Sequence, residues 1–433
     1  MRKLFGRNGK RFLRTILMLA LAATLSLGVL SVSYAEGEIV GSEESPAEAA
    51  VRKLLKMPAG TTTPGATFTF AFEKKFVDGL DDTDSLTSMP AISSKQVVYT
   101  AADVGTTTGD VKSVSKEVLA LTSTESSAFP HAGVYEYEIT EQQTGYIITD
   151  PAKESLTYSP GIYTIRFYVR DEAEGSGIYV HAIGVDVTTV DNNDQTAGTK
   201  VDPTPGGGSS GGGSGLVFTN VYMKSGGGGT PTDPANRNLT ISKAVSGDYA
   251  DRTKYFTYSL TVNKPSLVTE TSAYKAYIVD GSNTVVTALA NGTVVEGDLG
   301  GYINVTADSA TTIKLKHGQS IVFTDLPVGA SYVAVESGET LYAPLVTMVV
   351  DGATTFDRTS LEGASLSTGP STSTAGTVLV GESTNTASFV NANRSVTPTG
   401  LVIDNLPFIV LLVVSVGSLV IFLAAKTRKR REE

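Results

Sequence analysis

The sequence predicts an all-β protein made of two tandem β-sandwich modules, with one apolar helix near each end of the chain. Apolar and polar residues alternate in short runs bounded by turn residues, the pattern of half-buried antiparallel strands. Long helical periodicity occurs only in the two terminal segments. Runs of the alternating kind include Phe68, Phe70 and Phe72 in the first half, and Phe256, Tyr258 and Leu260 in the second.

The first segment, residues 1–35, has the three parts of a secretory signal peptide. Several basic residues and no acid are followed by an apolar run over residues 16–32. Small residues, Ser33 and Ala35, then stand three and one before a cleavage site after Ala35. A retained membrane helix is the weaker alternative because this cleavage site follows the apolar run directly. The pattern predicts export.

Glycine and proline clusters divide the middle of the chain. Residues 225–235 form a Gly/Pro-rich linker between modules at 45–224 and 236–394, each the size of one domain. A second glycine-rich run, 206–215, is expected to be a loop before the last strand of the first module. A Ser/Thr/Gly-rich stretch over 359–377 stands in the same place in the second module. The two modules are therefore expected to be built alike at their ends.

The last segments predict a membrane anchor. Residues 406–425 carry no charge, and as a helix they would span about 30 Å, the thickness of a bilayer core. The basic tail at 426–433 would stay on the cytoplasmic side. We therefore expect an extracellular protein anchored to the cell wall or the plasma membrane.

Composition excludes several classes of function. The chain has 34 basic and 44 acidic residues, a net charge of −10, and many of its basic residues lie in the two terminal segments. An acidic exported part argues against a nucleic-acid partner. The absence of cysteine excludes disulfides, thiolate metal sites and a cysteine nucleophile. We expect no metal, no cofactor and no enzymatic turnover, and a membrane-tethered hydrolase is disfavoured because no nucleophile–base set is visible.

Three polar residues of each module are in phase with the core-facing residues of a predicted strand. In both modules the order is a lysine on the first strand, a glutamate on a middle strand and an asparagine on the last strand. One alternative is that these residues sit at strand ends and reach solvent, since Lys and Glu are rarely buried unpaired. The two sets are Lys53, Glu141 and Asn220, and Lys243, Glu336 and Asn391.

Such a set, if buried, can make a covalent bond. An apolar pocket favours the neutral amine of a lysine and the protonated form of a glutamate. The amine is then a nucleophile beside the electrophilic side-chain amide of an asparagine. The glutamic acid would polarise the amide carbonyl and relay protons, and ammonia would leave. The product is a cross-link from the first strand to the last, formed once per molecule.

The first module resembles the streptococcal pilin isopeptide-linkage domain. The resemblance is carried by residues 55–58 (LKMP), 67–70 (TFTF), 133–141 (GVYEYEITE) and 217–220 (VFTN). It implies an isopeptide cross-link between Lys53 and Asn220 with Glu141 as the assisting acid.

The second module resembles the Ig-like, Cna-B-like modules of Gram-positive adhesins and pilins. The motifs are 239–243 (LTISK), 325–329 (DLPVG), 332–336 (YVAVE) and 389–391 (FVN). The resemblance implies a cross-link between Lys243 and Asn391 assisted by Glu336. Asn393 lies on the same face of the predicted strand and is a rival to Asn391.

Residues 395–400 resemble a sortase sorting signal. Val396, Thr397 and Pro398 precede Thr399 and Gly400, between which a sortase would cut; the common signal has Leu and Pro in place of Val396 and Thr397. The expected partners are therefore a sortase and the cell wall or other pilin subunits, with a host or matrix ligand left open. The alternative is a membrane-tethered monomeric adhesin or ligand-binding protein that no sortase processes.

Overall fold

The structure is a computed structural model that describes residues 38–175, 177–192, 195–210, 212–269, 273–287, 299–352, 354–369 and 378–393, with 408, 410–416, 418–419 and 422. The predicted signal peptide (1–35), sorting motif (395–400) and basic tail (426–433) lie outside these residues. Those residues of the predicted span 406–425 that are described are helical and exposed. Among the described residues, no helix has the length and apolar character needed to cross a membrane.

The first module consists of two facing β-sheets. One contains strands in the order β1-β10-β9-β7-β3-β4, with β11 paired to β10, and the other the order β5-β6-β2-β12-β8. The strands are β1 Glu38–Val40, β2 Ala50–Pro58, β3 Ala66–Val77, β4 Lys95–Tyr99, β5 Thr106–Thr108, β6 Val111–Leu119, β7 Gly133–Glu141, β8 Glu154–Thr157, β9 Ile162–Asp171, β10 Ile178–Thr189, β11 Lys200–Val201 and β12 Val217–Lys224. Short helices are α1 Thr83–Ser88, α2 Ser123–Ser126 and a 3-10 turn, Pro205–Ser210.

The second module repeats this plan with two further sheets. Their strand orders are β16-β15-β18-β13-β24-β20-β21 and β17-β14-β19-β22, with β23 paired to β19. The strands are β13 Leu239–Ser246, β14 Phe256–Asn263, β15 Ala273–Val279, β16 Ile303–Thr306, β17 Ala310–Leu315, β18 Gln319–Phe323, β19 Ser331–Glu336, β20 Tyr342–Val350, β21 Thr354–Thr359, β22 Leu366–Ser367, β23 Val378–Leu379 and β24 Thr386–Asn393. The all-β fold class predicted from the alternating pattern is confirmed.

The alternation places one face of each strand in a core between the sheets. In β7, Tyr135, Tyr137 and Ile139 are fully buried while the residues between them are partly exposed. Each module has its own large apolar cluster. Burial of these side chains, at about 25 cal/mol per Å² of apolar surface, is the main force that holds the two sheets of a module together.

Each module contains one parallel strand pair among its named pairings, and it joins an early strand to the last strand. β2 runs parallel to β12, and β13 runs parallel to β24. All other pairings between the described strands are antiparallel. Parallel neighbours cannot be joined by a tight turn, so the two strands of each pair are separated by most of the sequence of their module.

One strand position differs from the expectation. Lys53 was expected on the first strand of its module, but the short β1 precedes it in the chain and pairs with β10 in the opposite sheet. The three residues of β1 are too few to show an alternating pattern, which is why the sequence gives no sign of them. β2 is nevertheless the earliest strand of its own sheet.

The two modules contact each other around the segment that joins them. Ser225 forms a bridge with Pro327, and the Val328 N–H donates to the Lys224 carbonyl at 2.8 Å. The Lys224 ammonium pairs with the Glu382 carboxylate at 2.8 Å. At Gly329, φ is +83° and a Cβ would lie 2.6 Å from the Cβ of Pro58, so only glycine fits there.

Candidate functional site

The first polar cluster lies in the core of the first module. The Lys53 ammonium donates to Glu141 Oε2 at 2.7 Å, and the Asn220 side-chain Nδ2 donates to Glu141 Oε1 at 2.9 Å. Lys53 and Asn220 have no exposed surface, and Glu141 is 7% exposed. The structure therefore brings together the three residues singled out in the first module, with the carboxylate between the amine and the amide.

The second polar cluster has the same composition in the second module. The Lys243 ammonium donates to Glu336 Oε1 at 2.7 Å, and Asn391 Nδ2 donates to the same oxygen at 2.5 Å. All three residues are buried. The rival Asn393 lies at the end of β24, where its Nδ2 donates to the Tyr249 carbonyl at 3.3 Å. The structure thus places Asn391, and not Asn393, at Glu336.

The strand register explains why the lysine and the asparagine meet. Lys53 is opposite Phe218 on the parallel strand, so Asn220 is two residues further along and on the same face. Lys243 is opposite Phe389, which places Asn391 in the same relation. In both modules the glutamate is the last residue of a strand of the facing sheet and reaches across the core.

Aromatic rings complete the pocket around each lysine. The Lys53 ammonium lies 4.7 Å from the centroid of the Phe68 ring, and the Lys243 ammonium lies 4.0 Å from that of Phe256. These contacts exclude water from the amine and supply a weak cation–π attraction. The alternating pattern identifies both phenylalanines only as core residues, because alternation does not tell which side chains a core residue contacts.

Burial changes the acid–base properties of these groups. Burial lowers the pKa of Lys53 to about 8, although the Glu141 carboxylate opposes the shift. Burial likewise raises the pKa of Glu141, against the opposing effect of Lys53. In the second module burial lowers the pKa of Lys243 to about 8. In the first module both shifts favour a neutral amine beside a neutral carboxylic acid, the pair that amide chemistry needs.

The pair formed by Lys95 and the partly exposed Glu125 shows what happens when loop donors surround the carboxylate. Lys95 is 6% exposed and its ammonium bonds to the Glu125 carboxylate at 2.5 Å. Burial would raise the pKa of Glu125, but hydrogen bonds from Lys95, Ser93 and Thr122 outweigh it and lower the pKa to about 2. This carboxylate stays ionised, and no asparagine side chain bonds to it in the described part of the chain.

The carbonyl of Asn220 has a partner that the sequence did not indicate. The backbone N–H of Ser159 donates to Asn220 Oδ1 at 2.7 Å. Nearby, the buried Asp191 accepts a hydrogen bond from the Ser159 hydroxyl and another from the Thr219 N–H at 3.0 Å. Ser159 and Asp191 lie in loops without alternation, so no periodic signal marks them.

The contact made by Glu141 differs from the one expected. The acid was predicted to lie at the amide carbonyl. In the structure Glu141 contacts the amide nitrogen, and the Ser159 N–H contacts the carbonyl oxygen. The physical reason is that a backbone N–H can only donate, so it takes the carbonyl oxygen and leaves the NH₂ group to face the carboxylate.

No group of three or more His, Asp or Glu side chains in the described residues could hold a metal ion. The two clusters contain an amine, a carboxyl group and a carboxamide, a set suited to amide exchange and not to metal binding.

Comparison with known families concerns each module separately. Residues 49–223 match the family model described as a Spy0128-like isopeptide containing domain. The first module is a Spy0128-like isopeptide domain. Residues 237–393 match a model described as a domain of unknown function (DUF7601), so the Cna-B-like resemblance of the second module remains a prediction. A comparison with curated proteins gives no match.

Solved pilus proteins are similar to the chain over most of its length. A major pilin from Streptococcus pyogenes has 21% sequence identity and a TM-score of 0.30, and the match covers 81% of this chain and 99% of that one. For the major pilin T3.2 of the same species the values are 18%, 0.30, 83% and 100%. The pilus-presented adhesin Cpa matches at 18% identity with a TM-score of 0.22, over 54% of this chain and 36% of its own.

The contrast between the lysine–glutamate pairs predicts a pH dependence of stability. Because folding depresses the pKa of Glu125 from its ordinary value of 4.5 to about 2, its stabilising effect is present above pH 4.5 and is lost as pH falls towards 2. Glu125→Gln should therefore lower the melting temperature clearly at pH 6 and much less at pH 2. Glu73→Gln, at a 70% exposed carboxylate, is the control. A Glu125→Gln deficit of the same size at both pH values would contradict this assignment.

Proposed function

We propose that this chain is a pilin-type subunit of a Gram-positive cell surface, and that each of its modules closes one Lys–Asn isopeptide bond. The observation that carries the proposal is the repetition, in two modules, of a buried glutamate that bonds to both a lysine and an asparagine. The family match of the first module supports the same conclusion.

The reaction follows from the contacts of the first cluster. Lys53 passes a proton to Glu141 Oε2, which leaves a neutral amine and a carboxylic acid. The amine nitrogen Nζ bonds to Cγ of Asn220, while the Ser159 N–H stabilises the negative charge that develops on Oδ1. Glu141 then donates a proton to Nδ2 and takes one from Nζ. The Cγ–Nδ2 bond breaks, ammonia leaves, and the glutamic acid is regenerated.

The fold supplies most of the rate enhancement by holding the reactants together. The amine and the amide are bound to one carboxyl group on adjacent strands, so no diffusion step remains. Each pocket also desolvates its lysine, as the lowered pKa values of Lys53 and Lys243 show. The Glu125 carboxylate, in contrast, stays ionised, and among the described residues no asparagine amide bonds to it.

The bond would change how a module carries tension. In the first module it would join β2 directly to β12, and force applied at the two ends would bypass residues 54–219. In the second module it would join β13 to β24 in the same manner. Such a cross-link serves a surface fibre of a chain that has no cysteine and therefore no disulfides.

Attachment at the C-terminus completes the proposal. The segments at 395–400, 406–425 and 426–433 follow one another in the order of a sorting signal, an apolar span and a basic tail. A sortase would cut between Thr399 and Gly400 and join Thr399 to an amine of the cell wall or of a neighbouring subunit.

Intact mass measures the cross-links directly. We expect the purified chain spanning residues 36–394 to be lighter than its sequence mass by two molecules of ammonia. Glu141→Ala should remove one of these losses and Glu336→Ala the other, because each acid relays protons in its own module. A mass equal to that of the sequence would refute both bonds.

A matched control distinguishes loss of the proton relay from general disruption of the core. Glu125 is also held by a lysine in the first module, but no asparagine side chain bonds to it among the residues that the structure describes. Glu125→Ala should therefore keep both ammonia losses. If Glu125→Ala abolished the loss in the first module, the effect of Glu141→Ala would reflect general disruption of the core.

Removal of the amine tests the mechanical role. Lys53→Ala should lower the unfolding free energy of the first module by about 5 kcal/mol, the value of a cross-link that closes a loop of more than about 100 residues. It should also make the module sensitive to protease. Lys56→Ala, on the half-buried face of the same strand, is the control, and thermal melting and limited proteolysis are the measurements. Equal resistance of Lys53→Ala and the unaltered protein would exclude Lys53 from a cross-link.

Peptide mapping of protein released from cell walls tests the attachment. We expect the last peptide to end at Thr399 and to carry a wall fragment or a lysine of another subunit. Thr399→Ala should leave the protein in the membrane fraction. Recovery of an uncut peptide that contains both Thr399 and Gly400 as the main species would point to the membrane-tethered alternative.

A further inference from the structure

The two clusters differ in the residue that is paired with the glutamate on the neighbouring strand. Phe70 is paired with Glu141 across β3 and β7, and Tyr258 is paired with Glu336 across β14 and β19. The Phe70 ring packs on Phe218 with centroids 5.0 Å apart. The Tyr258 ring packs on the equivalent Phe389 at 5.2 Å. The second site therefore has a hydroxyl where the first has none.

This hydroxyl is one of three buried polar atoms at the second site that have no hydrogen-bond partner among the described residues. The others are Glu336 Oε2 and Asn391 Oδ1. Burial of a hydroxyl without a partner is unfavourable, so the core would be more stable with phenylalanine at this position unless the hydroxyl has a use.

The way each carboxylate is used explains what the hydroxyl could do. Glu141 has a separate oxygen for each partner, Oε2 for Lys53 and Oε1 for Asn220. Glu336 binds both Lys243 and Asn391 through Oε1, and its Oε2 is left over. Burial, and then the Glu336 carboxylate beside it, keep the pKa of Tyr258 well above its usual range, so the hydroxyl keeps its proton.

The strand beside Asn391 supplies no substitute. The residue paired with Asn391 on β20 is Pro344, which has no backbone N–H. In the first module the Ser159 N–H fixes the orientation of the Asn220 amide. The second site lacks a comparable backbone donor among the described residues, so its geometry depends more on how Glu336 is held.

We propose that Tyr258 is a positioning residue of the second site, whose hydroxyl donates to Glu336 Oε2 while the isopeptide bond forms. This hydrogen bond holds the carboxyl group so that Oε1 faces both Lys243 and Asn391. The inference rests on the proposed cross-link between Lys243 and Asn391.

The test follows both cross-links in the same molecules. The full chain is recovered unfolded in urea, diluted into buffers over a range of pH, and quenched in acid at timed intervals. Proteolytic peptides that join Lys243 to Asn391, or Lys53 to Asn220, are then counted by mass spectrometry. The first cross-link reports that the chain has folded and serves as the internal clock.

Tyr258→Phe should slow the second cross-link about tenfold, the effect of losing one hydrogen bond to a charged group, and leave the first unchanged. The other groups that face this carboxyl, Lys243 and Asn391, are the same in both proteins. An unchanged rate of the second cross-link, or an equal slowing of both cross-links, would overturn the inference.

Two further measurements distinguish this inference from the proposed cross-link on which it rests. If the unaltered chain forms no cross-link between Lys243 and Asn391, the proposed function of the second module fails. The reciprocal change, Phe70→Tyr, should not speed the first cross-link, because both oxygens of Glu141 already have partners. Acceleration by Phe70→Tyr would show that a tyrosine helps whatever the use of the carboxyl oxygens, and would contradict the inference.

Discussion

The structure depends on a carboxyl group placed between an amine and an amide inside an apolar core. Burial of an ion pair is unfavourable unless its geometry and hydrogen bonds are nearly complete, and hydrophobic replacements are often more stable. Two modules nevertheless keep a lysine, a glutamate and an asparagine at equivalent positions. The proposed isopeptide bond would explain this arrangement, since its product would be a buried amide with no net charge and the cost of the ion pair would be removed.

The parallel strand pair is what makes this reaction useful. If the lysine and the asparagine were on antiparallel strands joined by a hairpin, a bond between them would close only a short loop. Here β2 and β12 enclose almost the whole first module, and β13 and β24 enclose the second. The same topology delays closure, because the last strand must dock before the amide reaches the amine. The proposed cross-link would therefore form only in a module that has folded.

Much of the fold and of the candidate sites could be predicted from the sequence because both depend on alternation. A polar residue in phase with Tyr137 and Ile139 must face the core, and that reasoning led to Glu141. Alternation does not predict which residues a core-facing side chain contacts across the core. Ser159 lies in the loop between β8 and β9 and contacts Asn220, whereas Asp191 lies in the loop after β10 and contacts Ser159 and Thr219. The three-residue strand β1 was missed for the same reason.

Comparison of the two core clusters with the pair Lys95 and Glu125 separates the pairs proposed to react from a structural one. Glu125 receives hydrogen bonds from Ser93, Thr122 and Lys95, all of which favour its charged form. Among the described residues, Glu141 is bound by Lys53 and Asn220, and burial dominates. The two carboxylates also differ in exposure, since the Glu125 side chain is 14% exposed whereas that of Glu141 is fully buried. A carboxylate near the surface with several loop donors thus keeps its charge, whereas a fully buried one with few donors is prepared for proton transfer.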